Sequence, residues 1–171
     1  MCYLIGNKIL DMKSNSYNAL GVSLTLSFVL MYTVMFLNVD DVDHIYLSLT
    51  RTYMTLLMVA PMAILMLLVM PSMYPQKRRN YLIMGSSILI FIVSLVMLRT
   101  QTPVTDSQYM RAMIPHHSSA IMTSKNVDLN DPELKKLAQN IIVSQQKEIA
   151  QMKAILERLQ HESEEQVPVD K

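Results

Sequence analysis

The chain has 171 residues, of which 51% are hydrophobic, and its formal net charge is +1. This balance argues against a nucleic-acid-binding class, because such proteins present strongly basic surfaces. A single cysteine, Cys2, excludes a disulfide framework and a thiolate metal cage within one chain.

Three apolar stretches predict membrane-spanning helices at residues 18–37, 52–70 and 81–98. Each is close to the length that crosses a hydrocarbon core of about 30 Å. Pro61 lies inside the second stretch, where membrane packing tolerates a kink. The hydrophobic residues concentrate before residue 99 and the charges after it, so we expect a membrane anchor over 1–99 and a separate outer region over 100–171.

The charges in the two loops predict how the anchor is oriented. The loop between the second and third spans carries the basic run Lys77, Arg78 and Arg79, whereas the first loop carries acidic residues at positions 40, 41 and 43. The positive-inside rule therefore predicts a cytoplasmic N-terminus and an extracytoplasmic region after the third span. We expect this arrangement in a bacterial plasma (inner) membrane.

The sequence pattern of the outer region predicts two helices and no strand. Thr105, with Gln108 three residues later, forms a candidate capping box for a helix over about 106–126. Asp131 is a good N-cap and Pro132 suits the first position of a second helix, which we expect to end near His161. The remaining tail has the composition of a disordered segment.

An apolar stripe along the second predicted helix needs a covering surface. Two helices in one hairpin cannot enclose a full core. A second copy would complete a four-helix bundle and make the protein a homo-oligomer. The stripe consists of Leu134, Leu137, Ile141, Ile149, Met152, Ile155, Leu156 and Leu159.

The segment "QYMRAMIPHHSSAIMTS", residues 108–124, combines sulfur and imidazole donors on one predicted helix. Met110, Met113 and the pair His116-His117 fall within a sector of about 120° at 100° per residue. Thioether and imidazole are favoured ligands of soft ions such as Cu(I) and Ag(I). The alternative is that the methionines fill the core and the histidine is a satisfied buried residue. Met122 lies outside the sector unless Pro115 bends the helix.

The second helix places further donors in its apolar stripe. Gln145 and Glu148 lie on the same face as Met152. A carboxylate can orient a metal-binding histidine through the second ring nitrogen, and Met152 could add a thioether from across the hairpin. The alternative is that Glu148 forms an ordinary ion pair.

The run "YMRAMIPHHSSAIMTS" followed by "DPELKKLAQNIIVSQQKEIAQMKAIL" resembles domain-of-unknown-function family 305, which includes CopM-like copper-binding proteins. The resemblance covers about residues 104–159 and implies a ferritin-like helical bundle that binds copper or silver outside the cytoplasm. The implied metal ligands are Met113, His116, His117, Met122 and Met152, with Met110 less well matched. Gln145, Glu148 and Asp106 are implied as supporting residues. Members often have Trp at the position of Ile155, and the three-span anchor is a variant arrangement.

Two further patterns have alternative interpretations. Met54, Met58, Met62, Met66 and Met70 recur every four residues in the second span, either as apolar filler, which we favour, or as a thioether ladder for a soft ion. The loop "NVDDVDHIY" either collects cations or is a solvated loop.

We therefore predict a membrane-anchored copper or silver binding protein in metal homeostasis or tolerance. No catalytic set of nucleophile, base and oxyanion donors can be assembled, so no enzyme activity is expected. The rival hypothesis is a membrane-anchored oligomerisation or adaptor module without a metal. The sequence does not name a protein partner.

Overall fold

A computed structural model describes the backbone of residues 2–165 and the side chains of residues 16–162. Within this range the chain is entirely helical and has no strand, which confirms the predicted all-α class. The elements are α1 (Cys2–Val34), a 3-10 helix (Val42–His44), α2 (Leu49–Val69), α3 (Lys77–Thr100), α4 (Asp106–Asn126) and α5 (Pro132–Glu165).

The chain forms two compact units. The first, here called the span unit, comprises residues 2–34 and 52–102. The second, the hairpin unit, comprises residues 35–51 and 103–165. Residues 35–51 lie within the anchor predicted over 1–99, but in the structure they are part of the hairpin unit.

Three helices of the span unit are long and apolar enough to cross a membrane. The candidate spans are Ser16–Val34, Leu49–Val69 and Lys77–Thr100. Inside the unit, Leu20 of α1, Leu67 of α2 and Tyr74 pack in one apolar cluster. The Tyr17 ring lies 5.4 Å from that of Tyr74, and the Tyr17 hydroxyl donates to Asn80 Oδ1 over 2.7 Å.

The first span ends earlier than predicted. Helix α1 stops at Val34, and the expected residues 35–37 leave the helix. Arg51 Nη1 donates to the carbonyl oxygen of Met35 over 2.5 Å, and its guanidinium lies 4.3 Å from the centre of the buried Phe36 ring. These contacts stabilise the departing chain, because they satisfy a carbonyl at the helix end and cover an aromatic face with a cation.

The ends of α3, α4 and α5 follow local signals. Gln101 adopts the left-handed conformation (φ 53°) that commonly ends helices. Thr105 Oγ1 accepts from the Gln108 amide at the start of α4, which is half of the predicted capping box. Asp131 Oδ1 accepts from the Leu134 amide over 2.8 Å. Helix α5 continues four residues past His161, so residues 162–165 are helical, while 166–171 lie outside the described residues.

Helices α4 and α5 pack along a small core. Ile114 and Ile121 of α4 meet Ile149 of α5, and all three side chains are almost completely buried. Tyr46, from the segment before α2, and Met152 pack against the same cluster. The core of the hairpin unit is therefore built from three segments of the chain rather than two.

Candidate metal site

Among the described histidines of the hairpin unit, His117 is the most buried. Its ring is buried, and Nδ1 donates to the carbonyl oxygen of Met113, one turn earlier in α4, over 2.9 Å. A carbonyl can only accept, so Nδ1 carries hydrogen and the ring orientation is fixed by the helix backbone. Nε2 is consequently the nitrogen available to a metal.

His117 lines an open groove of about 620 Å³ between α4 and α5. Helix α4 contributes Met110, which is buried, and Met113, which is partly buried. Helix α5 contributes Met152, also partly buried. The groove thus collects three thioethers and one imidazole. This donor set fits a soft monovalent ion better than a hard divalent one.

Two of the predicted ligands lie outside this groove. His116 is exposed, and its ring centre is 6.0 Å from that of His117 with the planes at 66°. Met122 is partly buried, but it is not among the residues that line the groove. Helix α4 continues through Pro115 to Asn126. Neighbouring helical side chains point about 100° apart, which explains why His116 and His117 face different surroundings.

Glu148 faces the groove from α5. Its Oε2 lies 2.7 Å from His117 Nε2, and its Oε1 accepts from the Ser144 hydroxyl over 2.7 Å. These two hydrogen bonds, that of Ser144 first, lower the pKa of the Glu148 carboxyl below its ordinary value. An ionised carboxylate only accepts, so the contact with Nε2 needs one proton between the two groups. The side chain is 47% exposed, so water can reach this contact.

The remaining predicted supporting residues are less engaged. Asp106 is exposed and lines the same groove, whereas Gln145 is partly buried and does not line it. Among the described side chains, no three His, Cys, Asp or Glu residues converge as a metal-holding group.

The segment before α2 anchors to α4 directly beside the two histidines. The Asp40 amide donates to Ser118 Oγ over 2.8 Å, and His44 Nδ1 lies 2.9 Å from the same oxygen. Ser118 is completely buried. At the adjacent residue of α4, Ser119 Oγ accepts from Asn38 Nδ2 over 2.7 Å. The first residue of α2 contacts the start of α4, where the Leu49 amide donates to Gln108 Oε1 over 3.0 Å.

These contacts give the acidic loop a structural role. Asp40 pairs with Lys125 of α4 at 2.6 Å, and Asp41 Oδ1 accepts from the Asp43 amide at the start of the 3-10 helix. That hydrogen bond lowers the pKa of the Asp41 carboxyl. Burial, followed by the charge of Lys153, lowers the pKa of His44. Sequence reasoning missed this docking; the adjacent serines 118 and 119, between the apolar positions 114 and 121 of α4, were the available signal.

Three of the five methionines in the α2 repeat face outward, whereas Met62 is partly buried and Met66 packs against the cluster of Leu20, Leu67 and Tyr74. Met54, Met58 and Met70 are between 41% and 48% exposed. The packed face of α2 carries instead small and aliphatic residues, among them Val59, Ala60 and Ala63. The repeat therefore faces mainly outward, as filler or lipid-facing surface does.

The comparison with known proteins covers the two helices that form this groove. Residues 94–164 match the family model "Domain of unknown function (DUF305)", a range that includes α4 and nearly all of α5. "Uncharacterized protein L153" of Acanthamoeba polyphaga mimivirus is 41% identical over 134 residues, which are 77% of this chain and 86% of that protein. Residues 94–164 therefore form a DUF305 domain, and the chain as a whole belongs to the same family as the mimivirus protein.

The DUF305 match leaves out part of the hairpin unit. The match begins at residue 94, so it does not include residues 35–51, which pack on α4 in the hairpin unit. The alignment with the mimivirus protein covers more of the chain than the family model does, so the relationship extends beyond the DUF305 segment. No solved structure matches the chain significantly.

Proposed function

We propose that this DUF305 protein is a membrane-anchored binder of Cu(I) or Ag(I), acting in metal homeostasis or tolerance. The ion would be held in the groove between α4 and α5 by His117 Nε2 and the sulfurs of Met110, Met113 and Met152. The observation that carries the proposal is that these four soft donors line one groove, with the ring nitrogen that does not face it already bonded to the backbone. When bound, the ion adds only its coordination chemistry; the proposal includes no enzymatic step.

The proposed location is a membrane in which the hairpin unit is extracytoplasmic and the N-terminus cytoplasmic. The segment before α2 follows the first candidate span, and residues 103–165 follow the third. If each candidate span crosses the membrane, a segment after the first crossing and a segment after the third lie on the same side of the membrane. Two segments that pack in one compact unit must share a side. The bacterial plasma membrane remains a prediction from the sequence.

A neighbouring histidine provides a matched control for the metal site. We expect His117→Ala to weaken Ag(I) binding to the full chain in detergent at least tenfold. His116→Ala, one residue away but exposed, should leave the affinity within about twofold. Silver is a suitable probe because it is soft and does not change oxidation state during a titration. Equal losses in the two variants, or none in either, would contradict the proposed ligand set.

The methionines can be tested in the same way. Met113→Leu keeps the volume and removes the thioether, so we expect weaker Ag(I) binding with little change in stability. Met122→Leu makes the same chemical change outside the groove and should have no effect on binding.

The alternative function, an oligomerisation or adaptor module, has one observation in its favour. Leu134 is 44% and Leu137 53% exposed, although both belong to the stripe that contains the buried Ile149 and Leu156. A second copy covering this stripe would complete a bundle. Under the adaptor hypothesis, adding Ag(I) leaves the melting temperature unchanged, whereas an ion that binds the folded state must raise it.

A further inference from the structure

Glu148 does not occupy the place that an orienting carboxylate would take. An orienting group bonds the ring nitrogen that does not hold the metal. In His117 that nitrogen, Nδ1, is already bonded to the Met113 carbonyl oxygen at 2.9 Å. Glu148 Oε2 instead lies 2.7 Å from Nε2, the nitrogen that faces the groove. Carboxylate and ion therefore need the same position on the imidazole.

The structure also shows how the carboxylate could vacate this position. The Glu148 side chain is 47% exposed, whereas the next residue, Ile149, is buried in the core. Rotation of the Glu148 side chain would leave the packing of α4 on α5 unchanged. Ser144 Oγ holds the other carboxylate oxygen at 2.7 Å, and a hydroxyl one turn away on an exposed surface can keep this bond while Oε2 swings outward.

We propose that Glu148 is a gate on the metal site: in the empty groove it shares one proton with His117 Nε2, and the incoming ion displaces the carboxylate while that proton passes to solvent. This inference rests on the proposed function, because it assumes that Nε2 is a ligand. The gate competes with the ion, so it lowers affinity while it stabilises the empty protein. An orienting residue or an additional ligand would do the opposite and raise affinity.

The sign of the change in affinity tests the gate. Glu148→Gln removes the carboxylate, and we expect the full chain in detergent to bind Ag(I) about two- to fivefold more tightly, the range that corresponds to the loss of a solvent-exposed ion pair. Glu157→Gln is the matched control, since it removes the same charge from an exposed position of α5. It should leave the affinity unchanged.

Glu148→Asp separates contact from charge. The shorter side chain keeps the negative charge but cannot reach Nε2, so we expect it to tighten Ag(I) binding at least as much as Glu148→Gln. Both variants should also lower the melting temperature of the metal-free protein. A merely structural role for Glu148 would lower stability and affinity together, and this outcome would overturn the gate.

The outcomes distinguish the gate from the proposed function. If His117→Ala weakens Ag(I) binding and Glu148→Gln weakens it as well, the metal site stands and the gate is wrong. If His117→Ala has no effect on Ag(I) binding, the metal site itself is wrong.

Discussion

Replacing Ser118 by Ala tests whether the segment before α2 is held on the hairpin as the structure describes. The hydroxyl is completely buried, accepts from the Asp40 amide at 2.8 Å and lies 2.9 Å from His44 Nδ1. Alanine removes one oxygen atom and leaves these two partners without a hydrogen bond. Leaving a buried polar group without its partner costs about 1–3 kcal/mol. We take about 2 kcal/mol as the loss in docking free energy.

Hydrogen exchange of residues 40–45 in the full chain measures this free energy directly, because exchange of a docked segment reports its local opening. A loss of about 2 kcal/mol corresponds to roughly 30-fold faster exchange. Ser119→Ala is the matched control, since it removes only the exposed hydrogen bond from Asn38. Ser119→Ala should accelerate exchange less than threefold, because an exposed hydrogen bond contributes little net stability. Unchanged exchange in Ser118→Ala, or equal acceleration in both variants, would refute the reasoning.

Four further predictions concern acidity, metal choice and assembly. Burial lowers the pKa of His44, so the stabilisation that neutral His44 gives to docking is complete above its ordinary pKa of 6.5 and is lost as the pH falls through the lowered pKa. Hydrogen exchange of residues 40–45, corrected for intrinsic rates, should therefore accelerate between pH 7 and pH 5. His44→Asn should remove this pH dependence. The lowered pKa of Glu148 means that its stabilising contacts are present above its ordinary value and are lost in stronger acid, which a melting series from pH 6 to pH 3 on the wild type and Glu148→Gln would show. Zn(II) should not displace Ag(I), since no three His, Cys, Asp or Glu residues, the side chains that zinc prefers, converge among the described side chains. A detergent-corrected mass measurement should show a dimer that Leu137→Glu dissociates, whereas a strict monomer would contradict the predicted bundle.

The helices were predictable because their signals are local. Length and hydropathy located the three candidate spans, and the Thr105 and Asp131 caps located the starts of α4 and α5. The end of the first span was not predictable in this way. It depends on Arg51, sixteen residues later, which bonds the Met35 carbonyl and covers Phe36. Hydropathy counts Met35–Leu37 as apolar and contains no information about a distant partner.

The donor set was only partly predictable for a similar reason. Helical spacing correctly placed Met110, Met113 and His117 on one face, but it could not separate His117 from its neighbour His116. What separates them is packing: His117 is turned into the groove against α5, while His116 faces solvent. The contact of Glu148 with Nε2 was also beyond the sequence, because it depends on which ring nitrogen the Met113 carbonyl occupies. Helical spacing shows which residues share a helix face, but only the structure shows which atom of each residue makes a contact.

The docking of residues 35–51 changes what a four-helix bundle could look like. Ile121 and Ser118 of α4 are covered by the protein's own chain, through Tyr46 and the contacts of Asp40 and His44. A second copy therefore has no access to this side of α4. The apolar surface still exposed along the stripe lies on the N-terminal part of α5, at Leu134 and Leu137. If two copies pair, their contact should centre on α5, and the groove that contains His117 should stay open to an ion arriving from solution.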